Sequence, residues 1–107
     1  MRKIKCQEFR MEALQNNSQV VVLFSTGWSG SSIIVRGALH EIKEEFEDNI
    51  SFIEIDKEEC KQICQDYGIT KVPTLLFFKD GAVVEQLNGV PSKNKIQEVL
   101  AEIYDRG

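Results

Sequence analysis

The chain has 107 residues, a formal net charge of −4, and is 42% hydrophobic and 28% charged. That is one ordinary domain, 1–107, with average globular composition and enough apolar material for one core. Interspersed charge excludes a basic nucleic-acid patch, and no run of about eighteen apolar residues is present to span a membrane.

The N-terminus, Met1-Arg2-Lys3-Ile4-Lys5-Cys6, is basic but has no apolar run behind it, so it is not a secretory signal and a cytoplasmic location is expected. Residues 2–6 alternate weakly and predict a short edge strand. Phe9, Met11, Ala13 and Leu14 predict a short helix over 7–16, stopped by Asn16-Asn17-Ser18. Val20-Val21-Val22-Leu23-Phe24 is apolar on both faces, as in a central strand covered on both sides. Residues 25–32 are small and polar around Trp28 and read as a loop entering a helix. Ile33, Ile34, Leu39, Ile42 and Phe46 then fit an amphipathic helix of about four turns, ended by Asp48-Asn49. Gly37 inside it costs about 1 kcal/mol relative to Ala.

Ser51-Phe52-Ile53-Glu54-Ile55 predicts the next strand. Residues 57–67 predict a short helix with Cys60, Ile63, Cys64 and Tyr67 on its inner side and Gly68 as the terminal glycine. The acidic runs Glu44-Glu45-Phe46-Glu47-Asp48 and Lys57-Glu58-Glu59 read as solvated faces or turns. Thr74-Leu75-Leu76-Phe77-Phe78 is a third apolar strand, Lys79-Asp80-Gly81 a hairpin turn, and 82–87 its returning partner. Ser92 caps a last helix that puts Ile96, Val99, Leu100 and Ile103 on one face. The order β-α-β-α-β-α-β-β-α implies parallel strands joined by crossover helices, with a closing antiparallel hairpin. The expected fold is a three-layer α/β domain with a mixed central sheet flanked by helices.

Cys6, Cys60 and Cys64 make neither C-x-x-C nor a zinc spacing. On a helix, Cys60 and Cys64 would share a face with Cβ atoms about 5–6 Å apart, beyond the roughly 3.5–4.5 Å a disulfide needs. They are expected to be reduced and partly buried. No metal site and no cofactor are expected.

The order of motifs resembles the thioredoxin family across nearly the whole chain. Thr26-Gly27-Trp28-Ser29-Gly30-Ser31-Ser32 stands where that family carries Trp-Cys-Gly-Pro-Cys. Tyr67-Gly68-Ile69-Thr70-Lys71-Val72-Pro73-Thr74 is similar to its Tyr-Gly-Ile…Ile-Pro-Thr segment, and Phe77-Phe78-Lys79-Asp80-Gly81 to its hairpin. The resemblance implies a thiol–disulfide oxidoreductase lineage with a cis Val72–Pro73 bond. It implies that Ser29 and Ser32 hold the positions of the attacking and resolving cysteines, so that the chain is silent in disulfide exchange. It further implies that Trp28, Gly30, Val72, Pro73, Thr74, Gly89 and Val90 bind protein segments in extended form, by strand addition at Val72. A thioredoxin reductase would be the partner of a cysteine form. Neither nucleic acid nor membrane is expected as a partner, and a monomer is expected.

The departures from the family pattern concern proton handling. The family's buried Asp is Leu23 here, its lysine partner on the next strand is Glu54, Ser31 replaces the motif proline and Gly37 a helix-kinking proline. His40, eight residues past Ser32, lies about 12 Å along a helix from it. That is out of reach for a general base, so a serine-hydrolase reading fails. Ser29 suits a helix N-cap instead. The kept recognition segments favour a Cys→Ser replacement form of a working oxidoreductase. The alternative is a natural member that keeps the fold as a noncovalent binding module.

Overall fold

A computed structural model describes residues 1–15, 19–27, 29–46 and 50–104. The helix stops read at 16–18 and 48–49, and Trp28, lie outside the described residues.

The first strand, β1, is only Arg2–Lys3. Ile4 N–H still reaches the Glu54 carbonyl at 2.9 Å, but Lys5 N–H is taken by the Glu8 carboxylate at 2.8 Å, which turns the chain off the sheet. The single helix expected over 7–16 is instead a 3-10 turn, Cys6–Glu8, and a π-helical turn, Arg10–Gln15. That winding buries Phe9 and Ala13 and leaves Met11 exposed.

β2 is Gln19–Ser25 and α1 is Gly30–Lys43, continued by a 3-10 turn over Glu44–Phe46. β3 is Ser51–Asp56. The helix expected over 57–67 shortens to α2, Lys61–Asp66. Asp56 Oδ1 accepts the N–H groups of Glu58 and Glu59 at 2.8 and 3.2 Å, which holds 57–59 as a turn. Gly68 follows α2 with φ +67°, the left-handed conformation that suits glycine. β4, Thr74–Lys79, and β5, Ala82–Asn88, form the hairpin, with Asp80 and Gly81 both at positive φ in its turn. α3 is Lys93–Ile103, where Ser92 Oγ accepts the Lys95 N–H at 3.0 Å.

The strands form one mixed sheet in the order β1-β3-β2-β4-β5. β1, β3 and β2 are parallel, and β4 runs antiparallel to β2 and β5. Alternation along the strands separates two apolar layers. Val21, Leu23, Phe52, Leu75 and Phe77 pack with α1 and α3. Val20, Val22, Phe24, Ile53, Ile55, Leu76 and Phe78 pack with α2 and the N-terminal turns. This is the expected three-layer α/β arrangement. One feature of α1 departs from expectation: Val35, Leu39, Ile42 and Phe46 form the buried stripe, while Ile33 and Ile34 are 57% and 62% exposed.

Candidate functional site

β2 ends at Ser25, β3 at Asp56, and β4 begins at Thr74 opposite Phe24. The connections that leave this end of the sheet carry the residues singled out from the sequence. Ser29 is the N-cap of α1: its Oγ accepts the Ser32 N–H at 3.2 Å, one of the amides a helix start leaves without an intrahelical partner. Gly30 is exposed on the first turn, whereas Ser32 is fully buried. Among the described residues, the hydroxyls of Ser32 and Thr26 are both buried without a hydrogen-bond partner. A buried orphan hydroxyl costs about 1–3 kcal/mol.

The facing segment is built from the β4 entry. Val72–Pro73 is cis, Val72 is half-buried and Pro73 buried. Thr74 Oγ1 lies 2.8 Å from the Lys71 carbonyl and 3.2 Å from Asn88 Oδ1, which fixes the segment onto β5. Gly89, at φ +78°, donates its N–H to the Pro73 carbonyl at 2.9 Å. Val90 follows, 47% exposed. Among the described residues, neither the N–H nor the carbonyl of Val72 has a backbone partner. An open main-chain donor and acceptor next to exposed Val90 could pair with an added extended chain.

Behind the turn lies a charge cluster that the sequence reading missed. Leu23 is buried and pairs with Glu54 on β3, so the two share a sheet face. Glu54 is only 6% exposed. Arg36, two turns into α1, donates Nε–H to Oε1 at 2.9 Å and Nη2–H to Oε2 at 2.6 Å. Ser25 Oγ donates to Oε2 at 2.5 Å. Burial would raise the Glu54 carboxyl, but the hydrogen bonds from Arg36 and Ser25, with the charges of Arg36 and Lys3, hold it below its usual range. Ionised, with both oxygens engaged, Glu54 is not a proton acceptor for the turn. The available signal was a lone charge in an apolar strand, which must be paired when buried. His40 is exposed and lies with Arg36 and Glu41 in a separate shallow cleft.

The cysteines correct the sequence reading. Cys60 is disulfide-bonded to Cys6, with Cα atoms 5.5 Å apart and a sequence separation of 54. Cys64 is the free, buried thiol. Parallel pairing of β1 with β3 brings Cys6 beside the turn after β3, a juxtaposition that local spacing cannot reveal. This overturns two expectations: that Cys60 and Cys64 are a reduced pair, and that serine at 29 and 32 leaves the chain without disulfide chemistry. A disulfide is present, outside the turn. Burial pushes the Cys64 thiol up, with Lys57 opposing and Asp56 adding to it.

Residues 1–102 match the family model described as Thioredoxin. The chain is similar to a Thioredoxin of Pyropia yezoensis, 34% identical over 92 residues that cover 86% of each chain. It is similar to a Thioredoxin of Bacillus subtilis (strain 168), 30% identical over 97 residues, 91% of this chain and 93% of that protein. A Thioredoxin of Oryctolagus cuniculus is 34% identical over 84 residues, 78% of each chain.

Proposed function

This chain belongs to the thioredoxin family, and on that basis we propose that it holds extended protein segments noncovalently at the β4 entry, between the Ser29 turn and Gly89–Val90. The observation that carries the reading is Val72. Its main-chain donor and acceptor are open among the described residues, and exposed Val90 follows Gly89, which is bonded to the Pro73 carbonyl. A segment laid there gains two main-chain hydrogen bonds and buries apolar surface, which is the physics of strand addition. Ser29 and Gly30 rim the site, and Pro73 and Thr74 form its floor. The turn holds no thiol, so capture there makes no covalent bond. Lineage in a disulfide-oxidoreductase family makes proteins the partner class. The fully buried Ser32 hydroxyl, without a partner among the described residues, supports that lineage, since such surroundings suit a thiol better than an alcohol.

The test is an NMR titration with reduced, carboxymethylated insulin B chain as a disulfide-free extended polypeptide. Amide shifts should concentrate at Val72, Thr74, Gly89 and Val90, and Val90→Asp should weaken the binding. Shifts spread over other surfaces, or none at millimolar peptide, would remove the proposal. A cytoplasmic location belongs to the same reading, and there a thiol pool acts on the Cys6–Cys60 bond.

A further inference from the structure

The Cys6–Cys60 disulfide is unevenly exposed. Cys60 is 4% exposed and belongs to the apolar layer under the sheet. Cys6 is half-exposed and lines a cleft of about 590 Å³ with Arg10, Ile63, Asp66 and Tyr67. That is the size of a small-molecule site. It presents one cation, one anion and an aromatic wall against a single sulfur. Cys64 opens into a different cleft, lined by Lys57, Lys61 and Gly68.

We propose that Cys6 is an exchange site for low-molecular-weight cysteinyl thiols, independent of the Val72 site. The amino and carboxylate groups of such a thiol match Asp66 and Arg10, and the cleft is too small for a folded protein partner. The thiolate attacks Cys6 Sγ in line with the disulfide. A bond forms between the incoming sulfur and Cys6, the Cys6–Cys60 bond breaks, and Cys60 leaves as a thiolate that takes a proton from water. A second thiol then attacks the outer sulfur of the mixed disulfide. It releases Cys6 as a thiol and carries away the small-molecule disulfide. The protein disulfide has gained two electrons and two protons, and two small thiols have been oxidised to one disulfide. Cys60 is the leaving group because its sulfur is enclosed and offers no path for attack. Cys64 does not interfere, since burial keeps it protonated and thiols react as thiolates.

The test uses the full chain carrying Cys64→Ser, oxidised in air and then held in a glutathione buffer. Peptide mass mapping should find one glutathione per chain, on Cys6. The rate of adduct formation should rise in proportion to glutathione thiolate and stay flat across urea concentrations below unfolding. Adding Cys6→Ser should abolish the adduct, while adding Cys60→Ser should keep it when oxidised glutathione is supplied, whose disulfide the Cys6 thiolate then attacks with release of one reduced glutathione. An adduct on Cys60, thiols that appear only as urea unfolds the chain, or three free thiols in the air-oxidised wild type would each overturn the proposal.

Discussion

Glu54 shows how one side chain couples the strands to α1. An unpaired carboxylate at its depth would be costly, and it is kept ionised by two hydrogen bonds from Arg36 and one from Ser25. Lys3 and the Met1 amine are the other charges that act with it. Its carboxyl titrates lower in the folded chain than in the unfolded one, so the unfolded state binds more protons in acid. The stability it contributes is therefore complete above the ordinary Glu value of about 4.3. It is lost as the pH falls below that value through the folded one. Glu54→Gln should destabilise at neutral pH, because Arg36 loses its ion pair at a largely buried site. The gap to wild type should narrow as the pH drops below about 4. Urea unfolding at a series of pH values reads this, and a gap constant with pH would show that the pair contributes nothing through charge. The pair was only half legible in the sequence. A charge inside Phe52-Ile53-Glu54-Ile55 announces a partner, but the partner sits 18 residues away on a helix.

At the scale of the element, α1 explains why an apolar count misplaces a helix face. Val35, Leu39, Ile42 and Phe46 recur at intervals of four, three and four and are all buried. Ile33 and Ile34 are equally apolar but fall off that stripe, and end on the open side beside the Ser29 turn. Periodicity rather than hydrophobicity decides which side chains enter the core. Ile33 instead lines the shallow cleft that holds Arg36, His40 and Glu41. Gly37 lies on this helix with no neighbour within 4 Å of an added Cβ. Gly37→Ala should raise stability by about 1 kcal/mol through helix propensity and a less flexible unfolded chain. Thermal unfolding would show it as a higher midpoint with no change at the Val72 amides.

At the scale of the molecule, the disulfide joins the two ends of a long loop. Cys6 leaves the edge of the sheet after β1, and Cys60 sits on the turn after β3. That turn is tied to β2 where Lys57 N–H meets the Ser25 carbonyl at 2.8 Å. Closing a loop of this length restricts the unfolded chain and is worth about 2–4 kcal/mol. Cys6→Ser should therefore lower the urea midpoint by the amount that dithiothreitol lowers it for wild type, and dithiothreitol should then have no further effect on the variant. A wild-type midpoint indifferent to reductant would show that the bond does not stabilise the fold.

The sequence by itself determined the class of fold and the order of its elements. Unbroken apolar strands at 20–24 and 74–78, a capping serine at 29 and at 92, and glycines at 68 and 81 are local signals. Local signals survive without coordinates because backbone preferences act over a few residues. The segments of the candidate site were legible for the same reason: each is a short motif at a chain turn. Tertiary structure alone decided which distant side chains meet. It paired Arg36 with Glu54, left the Ser32 hydroxyl buried without a partner among the described residues, and joined Cys6 to Cys60 rather than leaving Cys60 beside Cys64. The physical reason is the parallel sheet. Strands far apart in sequence become neighbours through crossovers, and spacing along the chain carries no record of that register.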